Sequence, residues 1–129
     1  MKQLTLMEKY PLFVLELAKS ETSCIDIEDI LHELKKRIDA HPVAVYIATF
    51  DHYAHTTSLP EHIIDPNIKA AKNIVFCFGK ELPKPEVTGV RPRSIGVCDM
   101  GDKFVLSFLE APNPVANKAM EEWVASLRK

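Results

Sequence analysis

The sequence predicts an α+β fold: an α/β two-layer sandwich, with one mixed or mainly antiparallel sheet of about five strands and two main helices, 26–40 and 113–128, packed on it. Three observations lead there. Two short runs, VAVYIATF at 43–50 and NIVFCF at 73–78, are apolar on both faces and rich in β-branched and aromatic residues. Two alternating segments, Ser94–Met100 and Lys103–Leu109, flank Gly101-Asp102, a two-residue hairpin signal. Two longer segments carry a single apolar stripe at three-and-four spacing.

In chain order, Thr5–Tyr10 reads as a helical turn stopped by Pro11. Phe13–Lys19 reads as a strand with Phe13, Leu15 and Leu17 on one face; a helix with Pro11 at its first position is the alternative. Ser20–Ile25 is a polar loop. Asp26–Ala40 is the clearest helix, with Ile27, Ile30, Leu31, Leu34 and Ile38 as its stripe and Asp26 as its N-cap. Glu28 and Asp29 in the first turn, and Lys35, Lys36 and Arg37 near the end, suit the helix dipole.

Pro42 ends that helix and the 43–50 run follows. With no charge on either face before Asp51, it reads as a central strand, covered on both sides or covered on one and at an interface on the other. A turn or short helix is expected over Pro60–Pro66, a helical turn over Ile68–Ala71, and then strand Asn73–Phe78, ended by Gly79. Lys80–Arg93, with Pro83, Pro85, Gly89 and Pro92, is long for a connection in a compact domain, as functional or mobile loops are. On the second hairpin strand Phe104, Leu106 and Phe108 share a face. Asn113-Pro114 opens the last helix, whose stripe is Val115, Ala119, Met120, Trp123, Val124 and Leu127.

The 129 residues suit one domain, 1–129, with a core that needs no staples. Sixteen basic against eighteen acidic residues give −2, which argues against a general nucleic-acid or membrane-surface binder. Cys24, Cys77 and Cys98 are odd in number, widely spaced and without a CxxC, so they are not a disulfide framework. They fit a reducing, cytoplasmic setting. The apolar run Leu12–Leu17 is broken by Glu16 and lacks a signal-peptide cleavage site, and no stretch has transmembrane length.

Polarity changes abruptly at Asp51-His52-Tyr53, followed by His55 and His62. Side chains at the exit of a strand are rigidly supported yet reach solvent, so Asp51, His52, Tyr53 and His55 are candidate ligand-binding residues. Imidazole and carboxylate also form a ligand set for a transition metal, with His52, His55 and His62 as the candidate ligands. The plainer reading is a solvated loop, since no spacing here is diagnostic. Arg91 and Arg93, separated by Pro92, can clamp a phosphate or carboxylate and are expected to close over the same place; solvated surface charge is the plainer reading. Cys77, Cys98 and Trp123 read as core.

The first strand, the helix Asp26–Ala40 and the strand ending Phe50-Asp51-His52 resemble the opening of the domain-of-unknown-function family 302. So do the apolar strand ending Phe78-Gly79, the proline-containing loop and the hairpin IGVCDMGDKFVLSFLEAP, and the resemblance runs over residues 12–116. Lys84-Pro85 and Arg91-Pro92-Arg93 replace that family's usual Gly-Thr-Pro-like step. The resemblance implies a two-layer α/β sandwich and a dimer. It carries no catalytic role to any residue, because the family has no established activity.

The function expected is a non-catalytic domain that binds a small ligand or a partner protein and is present as a homodimer. One alternative is a metal-dependent or His-assisted enzyme at Asp51, His52 and His55, in which a metal activates water or a His acts as general base. Another is a purely structural subunit using exposed apolar strand surface as an interface.

Overall fold

The protein is described over residues 1–129 by a computed structural model. Its elements are β1 (Lys2–Leu6), β2 (Tyr10–Ala18), α1 (Ile27–Ala40), β3 (Val45–Asp51), α2 (His52–Thr57), β4 (Ala70–Cys77), β5 (Arg93–Asp99), β6 (Lys103–Leu109) and α3 (Pro114–Ala125), with short 3-10 turns at Lys19–Glu21 and Pro85–Val90. The strands form one sheet in the order β1-β2-β6-β5-β4-β3. Every neighbouring pair is antiparallel. The α+β sandwich is therefore present, with six strands.

The additional strand is β1. Where the sequence reads as a helical turn, the chain reverses through Met7 and Glu8 at φ 53° and 61°. It then pairs Lys2 with Val14 through Leu6 with Tyr10. Pro11 lies opposite Thr5, and its carbonyl accepts from the Glu110 N–H at 2.9 Å. Local propensity yields here to strand pairing.

One face of the sheet holds the core. Leu15 lies opposite Leu106, Leu106 opposite Val97, and Ile95 opposite Ile74, all buried. The expected α1 stripe is buried against them, as are Ala119, Met120, Trp123 and Val124 of α3. Each fully buried Leu, Ile or Phe side chain contributes roughly 1.5–3 kcal/mol. The Asp26 cap forms as expected, accepting from the Asp29 N–H at 2.9 Å, and Asn113 caps α3 through the Val115 N–H at 2.9 Å.

The expectation for residues 43–50 needs correction. β3 is an edge strand, paired with β4 alone. Val45, Ile47 and Phe50 are 58%, 50% and 43% exposed. Its apolarity on both faces does not reflect cover on both sides, because α1 and α3 lie on one face only. The register slips between Tyr46 and Ala48, a bulge of the kind that blunts an open edge. Residues 60–66 form no helix, and Ala70 and Ala71 already belong to β4.

The opposite face carries Leu12, Val14, Val75, Cys98 and Val105. It is covered at one corner, where α2 folds back over Phe50 and Asn73. His52 Nδ1 stands 3.2 Å from Asn73 Oδ1. No helix is long and apolar enough to cross a membrane.

Candidate functional site

The His cluster forms around α2. Asp51 caps this short helix, accepting from the Ala54 N–H at 2.9 Å. His52 and His55 sit one turn apart with the Phe50 ring between them, at centroid distances of 5.5 and 5.6 Å. His62 Nδ1 is 3.0 Å from the Leu59 carbonyl, which draws that ring to its own turn. No three His, Cys, Asp or Glu side chains converge as metal ligands anywhere in the chain. His52, Tyr53, His55 and His62 line neither of the two clefts described next.

Asp51 does line one cleft, of about 410 Å³, between α1 and the outer strands. Lys72 spans it, bonded to Glu28 and 3.9 Å from Asp51. The Glu28 carboxylate raises the Lys72 pKa, as its hydrogen-bond partner. Tyr46 Oη and Thr49 Oγ1 bond each other at 2.8 Å, and Lys35 Nζ lies 4.9 Å over the Tyr46 ring. The Lys72–Glu28 contact ties α1 to the outer strands across this cleft.

The other cleft, of about 560 Å³, opens at the far end of the sheet. It lies between the end of α1, the segment after β4, the 85–90 turn and the start of α3. Its floor is aromatic. Phe78 stacks on Trp123 at 5.5 Å and 12°, and His41 meets Phe78 edge-on at 5.3 Å. The His41 Nδ1 accepts from the Val43 and Ala44 N–H groups at 3.1 and 3.2 Å, which leaves the ring proton on Nε2. Val87, Val90, Val115 and Ala116 supply apolar wall. That volume and lining are of the kind that hold a small ligand.

The charged rim is Lys80, Glu81, Arg91 and Arg93. Arg91 Nη1 donates to the Glu81 carbonyl at 2.6 Å. Arg93, on the first position of β5, donates from Nη1 to the Val90 carbonyl at 3.3 Å and from Nη2 to the Leu109 carbonyl. Its Nε is the one buried side-chain nitrogen or oxygen without a hydrogen-bond partner. Burial lowers the Arg93 pKa.

The expected site residues thus fall into two groups. Asp51 lies opposite Lys72 and Arg93 opposite Phe76, four residues apart along β4, or about 13 Å, with two strand spacings between them. The Arg91–Arg93 loop does not close over the His cluster. Sequence reasoning missed His41 and Phe78 as cleft residues. The available signals were slight: a His before the helix-ending Pro42, and an aromatic before Gly79.

Among solved structures, an uncharacterized conserved protein DUF302 from Bacillus stearothermophilus is similar to this chain. The TM-score is 0.57 at 11% identity, over 91% of this chain and 94% of that one. At that identity the likeness concerns the fold, and it supports the family-302-like architecture read from the sequence. No curated protein matches. The family model that matches is a different one and spans residues 1–129: the chain belongs to the family of unknown function DUF6858.

Proposed function

We propose that the protein is a non-catalytic binding domain whose small-molecule ligand occupies the cleft between Phe78, Arg91, Arg93 and the start of α3. The observation that carries this reading is the cleft itself: about 560 Å³, aromatic at its floor and cationic at its rim. His52, Tyr53, His55 and His62, by contrast, line neither cleft, and His52 and His62 bond to Asn73 and to the Leu59 carbonyl.

Val115 lines this cleft and is 72% exposed, so a larger residue there blocks the space without disturbing the core. A thermal-shift screen of neutral, anionic and cationic compounds tests the reading. A true ligand at a hundredfold its Kd stabilises by about 2.7 kcal/mol. Its effect is expected to disappear in Val115→Trp. Hits that stabilise Val115→Trp as well as the wild type refute the assignment.

A second reading concerns assembly. The sheet face away from α1 and α3 bears Leu4, Leu6 and Leu109, all exposed, and its Glu16 and Lys103 pair with each other, which favours a homodimer formed face to face. Sedimentation of the wild type is expected to give a dimer, and Val105→Glu a folded monomer. A wild type that stays monomeric at high concentration removes this reading.

A further inference from the structure

Buried charges in folded proteins are paired or solvated, because an unpaired one keeps its desolvation penalty. Arg93 meets that rule only in part, because its Nε is buried without a hydrogen-bond partner. Its guanidinium is half-buried, and its only protein partners are two neutral carbonyls. No ion pair involves Lys80, Arg91 or Arg93, while Lys19, Lys72 and Lys103 at the other end of the sheet are all paired. Glu81 is the one acidic residue on the rim, and it contributes its backbone carbonyl rather than its carboxylate. Arg91 and Arg93, both without an acidic partner, line the same cleft.

Resting on the cleft reading above, we infer that the ligand is an organic carboxylate with an apolar body, its anion held by Arg93 and Arg91 and its body lying on Phe78 and Val115. The geometry favours this class in three ways. Guanidinium groups take a carboxylate through two parallel N–H donors, and each arginine here keeps donors that no protein group uses. The first turn of α3 also faces the cleft. Asn113 occupies the Val115 amide, while Ala116, a cleft residue, is in the turn whose N–H groups no intrahelical carbonyl reaches. Finally, apolar wall surrounds the cations, and there is no run of glycines to bring backbone amides around a phosphate.

The test is an amide-resolved NMR titration of the whole protein with phenylacetate, phenylacetamide and phenyl phosphate. Phenylacetate is expected to shift the Gly79 and Ala116 amides and the Arg93 Nε–H saturably. Phenylacetamide, alike in shape but neutral, is expected to bind roughly tenfold more weakly or worse. Arg91→Gln and Arg93→Gln are each expected to weaken phenylacetate and leave phenylacetamide unchanged. Equal binding of acid and amide overturns the carboxylate inference and leaves the cleft reading standing. Tighter binding of phenyl phosphate overturns the choice of anion. No shift at the cleft with any of the three overturns the inference, and a thermal-shift screen that also finds no cleft ligand takes the wider reading with it.

Discussion

Replacing Asn117 should loosen the cleft wall by a calculable amount. Asn117 is 7% exposed. Its Oδ1 accepts from the Ala111 N–H at 2.8 Å, and its Nδ2 donates to Glu121 Oε2 at 3.1 Å. Ala111 is itself 7% exposed and lies in the segment that forms one wall of the cleft. Asn117→Ala leaves that amide buried without an acceptor, which costs roughly 1–3 kcal/mol. Loss of the part-exposed bond to Glu121 adds up to about 1 kcal/mol. The sum, about 1–4 kcal/mol, corresponds to a fall in melting temperature of roughly 5–15 °C for a chain of this size.

Urea unfolding followed by circular dichroism measures this, with an m-value expected to stay unchanged. Asn117→Asp separates the two bonds. It keeps an acceptor for Ala111, and once its carboxyl is protonated it also keeps a donor for Glu121. Its deficit relative to wild type at the same pH is therefore expected to shrink between pH 7 and pH 5, whereas that of Asn117→Ala stays constant. An Asn117→Ala protein within about 0.5 kcal/mol of wild type would refute the reasoning, because such a small loss means that the Ala111 amide has another partner.

Three further outcomes follow from local geometry. Gly79 stands at φ 45°, and a Cβ there would meet Cys77 Sγ at 3.1 Å; Gly79→Ala should cost about 1–2 kcal/mol in urea unfolding, with only the contact part recovered by adding Cys77→Ala. Asp51→Ala removes the cap of α2 and should cost about 1 kcal/mol, whereas Asp51→Asn should restore most of it in the same assay. Burial raises the Cys98 thiol pKa. A folded pKa above the unfolded value, about 8.5, gives stability that is complete below the unfolded value and is lost as pH rises through the folded one. Wild type should therefore weaken relative to Cys98→Ala between pH 8 and pH 10, and parallel pH profiles would contradict this.

Much of the fold was legible because its signals are local. The α1 stripe, its Asp26 cap, the Gly101-Asp102 turn and the Asn113-Pro114 start each depend on a few adjacent residues, and each forms as expected. β1 was not legible, since it exists only through its pairing with β2, and Thr5–Tyr10 alone has no alternation long enough to show it. The edge position of β3 was hidden for a related reason. Apolarity on both faces records what a strand avoids exposing in some state of the protein, not which neighbour covers it. Val45, Ile47 and Phe50 are open within this single chain, as an interface strand would also be.

The separation of the two site groups turns on strand direction. Asp51 and Phe78-Gly79 both end apolar strands. Had β3 and β4 run parallel, as a mixed sheet permits, those ends would lie side by side, and the Arg91–Arg93 loop would reach the histidines. The connection between them settles the matter physically. Residues 52–69 between β3 and β4 hold only the short α2 and a turn-rich segment, whereas a parallel crossover usually carries a full helix that packs back across the sheet. Six helical residues with no buried side chain cannot provide that. The chain therefore turns back antiparallel, and the strand exit that carries Phe78 lands beside the entry of β3. There His41 and the end of α1 already stand. The cations of the loop consequently share a cleft with Phe78 and His41 rather than with His52 and His55, and the proposed carboxylate site rests on that arrangement.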